Sequence, residues 1–166
     1  MAQSIFVYET YIRTTPEKLW QALTTTELLK RCWMGYSIES DWTAGSPWRT
    51  VSPDGSLSDC GEILESVPQK RLAVKSRNEG RPEFKGEGYS NFVYEIEPIG
   101  ASVKLAITQS IERPDSSFIA AVSHAWPMVA SNLKSLLETG EVALIDRPGR
   151  TNRARGQSGI NWCDPV

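Results

Sequence analysis

Along residues 5–13, IFVYETYIR, apolar and polar side chains alternate with the period of a strand. Phe6, Tyr8, Thr10 and Ile12 share one face; Val7, Glu9, Tyr11 and Arg13 share the other. The TTP that follows is a stop and a start. Thr14 or Thr15 caps a helix, Pro16 takes its first position, where a missing N–H costs nothing, and Glu17 meets the positive end of the helix dipole. Leu19, Trp20, Leu23 and later Leu28 form an apolar stripe, and the threonines 24–26 break it and cap a second short helix, ELLKRCW, which ends before Gly35.

From Tyr36 to Ile111 the pattern is strand-like and punctuated by turns. YSIESDW, WRTV, CGEILESV, RLAVKSR, YSNFVYEIE and VKLAITQSI read as about six strands, with the polar stretch NEGRPEFKGEG as a longer loop. In the last two strands the faces separate well. Phe92, Tyr94 and Ile96 oppose Glu95 and Glu97, and Val103, Leu105 and Ile107 oppose Lys104 and Thr108, as in an antiparallel sheet with one covered face. After Pro114, Asp115 or Ser116 caps a long helix whose apolar positions Ile119, Val122, Trp126, Val129, Leu133, Leu136 and Leu137 keep helical spacing; Gly140 is its natural stop. Pro127, inside that helix, is expected to bend it or to begin its straighter second half.

The expected fold is therefore α+β: a strongly curved antiparallel sheet of six to seven strands around one long C-terminal helix, with two short helices after the first strand. Such a sheet cannot close tightly on its helix everywhere. The short helices plug one edge and leave an apolar chamber, a shape suited to small apolar or amphipathic ligands. Tyr8, Tyr36, Trp48, Phe92, Tyr94 and Trp126 are the candidate lining, joined by Val129 and Leu133 from the helix. Tyrosine and tryptophan suit the role because each joins an apolar body to a polar tip that needs a partner when buried.

Composition narrows the classes. With 166 residues, 40% hydrophobic and 23% charged, the chain suits a single globular domain, residues 1–141, followed by a flexible tail, residues 142–166. A formal net charge of −2 gives no electrostatic reason to seek nucleic acid or an anionic membrane. Residues 146–166 carry four Arg and two Asp, too weak a basic signal to change that. The N-terminus lacks a signal-peptide pattern and no stretch is apolar enough to span a bilayer, so the expected setting is cytoplasmic.

Candidate chemistry is sparse. Cys32, Cys60 and Cys163 are far apart and form neither a disulfide framework nor a zinc pattern, so no metal and no cofactor is expected. His124, the single histidine, stands off the centre of the apolar stripe and reads as a rim or surface residue, not a base. No GxSxG or Cys–His pattern supplies a nucleophile. Glu62 and Glu65, three apart on one strand, are expected on opposite faces; Glu95 and Glu97 share a face toward solvent. No residue is assigned a catalytic role.

TTPEKLWQALTTTELLKRCWMG together with HAWPMVASNLKSLLETGE resembles the domain family named for the activator of the heat-shock-protein-90 ATPase, within the helix-grip group of START domains, Bet v 1-like allergens and polyketide cyclases. DWTAGSPWR and CGEILESVPQKRLAV resemble the family's central stretches, and the similarity covers roughly residues 4–141. The resemblance implies the helix-grip fold. Function is spread across the group, from ligand binding and stress response to cyclase or hydrolase chemistry and chaperone-associated interaction. In the eukaryotic co-chaperones this domain follows a separate N-terminal domain, whereas this chain opens almost at its first strand, which ranks chaperone activation below ligand binding. The expected partner is a small hydrophobic or amphipathic molecule, in a stress or regulatory role, with a homodimer left open; the main alternative is a cyclase- or hydrolase-type enzyme using the same cavity, and the second is a chaperone-associated interaction module.

Overall fold

The computed structural model describes residues 2–146. The basic stretch from residue 147 onward lies outside the described residues. Seven strands form one antiparallel sheet: β1 (Ser4–Ile12), β2 (Ser37–Ser40), β3 (Pro47–Val51), β4 (Leu57–Val67), β5 (Arg71–Asn78), β6 (Ser90–Ile99) and β7 (Ser102–Ile111). Their spatial order is β1-β7-β6-β5-β4-β3-β2, so successive strands from β2 to β7 are neighbours and β1 closes beside the last of them. Helices α1 (Pro16–Thr24) and α2 (Thr26–Cys32) follow β1, a short α3 (Pro82–Lys85) precedes β6, and α4 (Ser117–Thr139) crosses the inner face, touching β1, β7 and α2. This is the expected curved-sheet, helix-grip architecture.

Local chemistry explains the boundaries. The Thr15 hydroxyl accepts from the Lys18 amide at 3.3 Å to start α1, and Thr25 stands between the two short helices as the cap position of both. At α4 the Ser116 hydroxyl accepts from the Ile119 amide at 3.0 Å. The Glu87 carboxylate reaches the same turn from the loop before β6, accepting from the Ser116 hydroxyl and from the Ser117 amide at 2.9 Å. A carboxylate beside free helix N–H groups is favoured by hydrogen bonding and by the dipole. Gly140 ends α4 in the left-handed region at φ 88°. The helix runs through Pro127 as one element.

Two local expectations are corrected. The polar stretch 78–88 contains α3, which starts on Pro82 and anchors itself through buried Phe84, packed edge-on to Phe118 of α4 at 5.6 Å. Glu62 and Glu65 lie on the same, exposed face. The register shifts between Ile63 and Glu65, so strict alternation is broken by one residue there, and Glu62 pairs with Lys75 while Glu65 pairs with Ala73.

The core lies between the inner face of the sheet and α4. Its aliphatic end is built from Leu72, Val103, Leu105 and Ile12, all with no exposure, against Leu133 and Leu136 of the helix. The outer face is ionic: Arg71 bridges Glu65 at 2.8 Å and also pairs with Glu95, solvated contacts worth little each.

Candidate functional site

α4 delivers Trp126 to the middle of the sheet, where it is 1% exposed. Its indole meets Trp33 at 5.1 Å, Phe92 at 5.7 Å and Tyr94 at 5.8 Å between ring centroids, the Trp33 and Tyr94 contacts edge-on. The indole N–H donates to the Gln109 side-chain oxygen at 2.7 Å, and the Gln109 amide donates to Ser90 at 3.0 Å. The tryptophan is thus held at both its ring and its polar tip.

Beside it lies a cavity of about 10 Å³, the space of about one water molecule. α1 contributes Leu23, α2 contributes Leu29 and Cys32 and its C-cap position Trp33, the sheet contributes Tyr94 and Ile107, and α4 contributes Trp126, Val129, Ala130 and Leu133. No side chain of the lining carries a full charge at neutral pH. Burial pushes the Cys32 thiol up to about 12, against a smaller opposite pull from Arg31, so the thiol stays protonated and unreactive. Burial, and secondarily Cys32, also raise the Tyr94 phenol.

Of the residues expected around a chamber, Tyr94, Trp126, Val129 and Leu133 line this cavity. Phe92 stands behind Trp126 and Tyr94, and Trp48 packs edge-on to Phe92 at 5.4 Å, one layer farther away. Tyr36 is buried beyond the end of α2, and Tyr8 is half-buried on β1 opposite Ile107. The rings of Trp48, Phe92, Tyr94 and Trp126 pack against one another between sheet and helix. Sequence reasoning missed the α2 wall, although Leu29, Cys32 and Trp33 are spaced three and four apart, the signature of a helix face.

A second buried cluster sits at the opposite, polar end of the inner face. Asp59 of β4 is 5% exposed and accepts from Thr50 at 2.8 Å, Ser58 at 2.8 Å and Asn78 at 3.1 Å. Burial raises its carboxyl above the ordinary value; the hydrogen bonds from Ser58, Thr50 and Asn78 work in the opposite direction, and the charge of Glu79 adds to the rise. On the outer face nearby, burial pulls Glu79 upward, but Lys85, Arg77 and the Cys60 thiol overcome it and hold the carboxyl at about 2. The Cys60 thiol, donating to Glu79 at 3.1 Å, is itself raised by burial and by that carboxylate, which leaves it a poor nucleophile.

These opposed shifts give opposite pH dependences. Asp59, raised when folded, contributes most below its unfolded value of 3.8 and loses that contribution as pH rises through its folded value. Glu79, depressed to about 2, contributes above its unfolded value of 4.5 and loses it as pH falls toward 2. The variant Asp59→Asn should therefore gain on the wild type in melting temperature as pH is raised from about 4 to about 8. Thermal denaturation of both proteins across that window is the check; a difference that stays constant with pH would show that Asp59 does not titrate with the fold.

Among the described residues no group of His, Cys, Asp or Glu is arranged to hold a metal ion, and no helix is long and apolar enough to cross a membrane. His124 is exposed on α4.

Solved structures share this fold. No curated protein matches the chain. Among solved structures, a Mesorhizobium loti protein is 25% identical, with a TM-score of 0.71 over 84% of this chain and 100% of its own. The Aha1 dimer from Colwellia psychrerythraea is 22% identical, with a TM-score of 0.67 over 82% of this chain and 98% of its own. The CalU16 protein of Micromonospora echinospora shares the fold at 17% identity and a TM-score of 0.64, covering 85% of this chain and 78% of its own. The family model described as activator of Hsp90 ATPase homolog 1-like protein matches residues 13–138, from the end of β1 to the last turn of α4, and the chain belongs to that family.

Proposed function

We propose that the domain binds a small hydrophobic or amphipathic molecule between the sheet and α4. The observation that carries this reading is the uncharged cavity beside Trp126, which draws its lining from α1, α2, β6, β7 and α4 and so stands where the fold's main elements converge. A drug-sized ligand needs some hundreds of Å³. On this reading the arrangement described is the closed form, and a ligand enters by displacing side chains and part of the α1–α2 wall. A cytoplasmic setting accords with the free thiols of Cys32 and Cys60, and a stress or regulatory role with a binder that has no reactive group beside its cavity.

A second reading, a protein-interaction module that also forms a homodimer, has its own support. The cavity is nearly filled, and the edge strand β1 exposes Ile5 by 50%, Val7 by 55% and Tyr11 by 55% on its outer face. The Colwellia relative is a dimer.

Thermal denaturation with the neutral probe N-phenyl-1-naphthylamine distinguishes the two. A binder saturated at about a hundred times its dissociation constant gains about 2.7 kcal/mol, a rise of roughly 5–10 °C for a domain of this size. Native mass spectrometry of freshly purified protein should also show a co-purifying small molecule. An empty protein whose melting temperature ignores the probe, but which runs as a dimer, would replace the first reading with the second.

A further inference from the structure

α2 has seven residues, too few to hold a helix by itself, so its place in the cavity wall depends on what ties it down. One tie is Asn132, a fully buried amide on α4 between the cavity-lining Val129 and Leu133. Its Nδ2 donates to the Cys32 carbonyl at 3.0 Å, satisfying one of the acceptors a helix leaves open at its C-terminus. The same amide grips the chain that follows α4. Nδ2 also donates to the Leu144 carbonyl at 2.8 Å, and Oδ1 accepts from the Leu144 N–H at 2.7 Å. The segment is fastened to α2 a second time, the Arg31 guanidinium donating to the Gly140 carbonyl at 3.0 Å, while half-buried Val142 packs on the core.

We propose that residues 140–146 are a strap across the seam between α2 and α4, that Asn132 is its latch, and that this seam is the way into the cavity. The proposal rests on the ligand-binding reading and supplies its route of entry. Two features suit the strap to opening. Apart from the Gly140 N–H on the Leu136 carbonyl, its hydrogen bonds among the described residues are made by side chains, with no sheet ladder to break. At its end α2 turns through two consecutive left-handed residues, Met34 at φ 52° and Gly35 at φ 98°, a cap closed by the Gly35 N–H on the Lys30 carbonyl at 2.9 Å, so that among the described residues its polar ties to α4 and the strap are the Asn132 and Arg31 side chains. Asn132 thus joins wall and strap, with Arg31 as the second tie, so release of either weakens the hold on the other.

Hydrogen exchange on the ligand-free full chain tests the latch, and stopped-flow binding of N-phenyl-1-naphthylamine tests the entry. In Asn132→Ala, amides of residues 26–36 and 140–146 should exchange together, at least about tenfold faster than in the wild type, while β5 and β6 keep their protection. Leu144→Pro removes a latch N–H at a half-buried site without touching the core, and should give the same pair of changes if Asn132→Ala fails to fold. Probe association should quicken about tenfold in step with exchange. Faster exchange in 140–146 with α2 unchanged would overturn the latch. An association rate indifferent to unlatching would overturn the seam as the entry. No probe binding in any of the proteins would overturn the entry together with the binding reading, while exchange alone still decides the latch.

Discussion

Replacing Trp126 by Ala is expected to cost about 3–5 kcal/mol and to lower the melting temperature by roughly 10–15 °C. Three separate losses converge on that residue. Its ring is 1% exposed and touches Trp33, Phe92 and Tyr94, so its removal empties the middle of the aromatic layer. Those neighbours come from a helix and from the sheet and cannot all collapse inward. Removal also leaves the Gln109 oxygen, bonded to the indole at 2.7 Å, buried without its donor. The void would merge with the existing cavity of about 10 Å³ and give the variant a pocket the size of an indole ring. Thermal denaturation of Trp126→Ala with and without added indole reads both effects: a large loss, partly restored by the ligand. Trp126→Phe keeps a ring but not the N–H and should lose only about 1–3 kcal/mol, the share belonging to Gln109. A loss of a few degrees for Trp126→Ala, with no response to indole, would mean that the layer closes over the gap.

The elements were legible in the sequence where one short-range rule governs them. Period-two alternation predicts β1, β6 and β7, and Thr15, Pro16, Ser116 and Gly140 mark helix ends within a residue or so of where they stand. What was hidden depends on partners far along the chain. Asn132 reads as a surface residue in SNLKS, because its partner Cys32 is 100 residues away. Asp59 stands just before the expected strand CGEILESV and leaves no signal there, because Thr50, 9 residues off, and Asn78, 19 residues off, meet it only once β3, β4 and β5 are paired. Gln109 did leave a signal. It continues the inward face of Val103, Leu105 and Ile107, and a lone amide there needs a buried partner, which Trp126 supplies. The α3 turn and the shift at Ile63–Glu65 break local periodicity and so defeat a reading that relies on it. The chamber was legible as an architecture but not as a volume. Spacing says which rings face inward and not how completely they fill the space between sheet and helix.

Gly61→Ala is expected to be the most damaging change that adds a single methyl group. Gly61 sits in the middle of β4, opposite Trp48 on one side and Ser76 on the other. A Cβ there would stand 1.7 Å from the Lys75 carbonyl oxygen, 2.7 Å from its carbon and 2.9 Å from the Ser76 Cα. All three are backbone atoms of the neighbouring strand, so no side chain can swing aside. The methyl group fits only if β4 and β5 part locally. That movement reaches Asp59, two residues earlier on the same strand, whose 3.1 Å bond to Asn78 crosses the same pair of strands. It also reaches Trp48, which packs on Phe92 and through it on Trp126. The expected cost is at least about 3 kcal/mol, the upper end of what overpacking exacts. Gly55 makes the control. It needs its glycine for a positive φ of 89° but has nothing within 4 Å of a Cβ, so Gly55→Ala should lose only about 1–2 kcal/mol. Denaturant unfolding of the two variants side by side separates close approach from backbone conformation. Equal losses would mean that β4 and β5 can move apart without harm, and that the strand pair beneath Trp48 is not the rigid floor on which the aromatic layer stands.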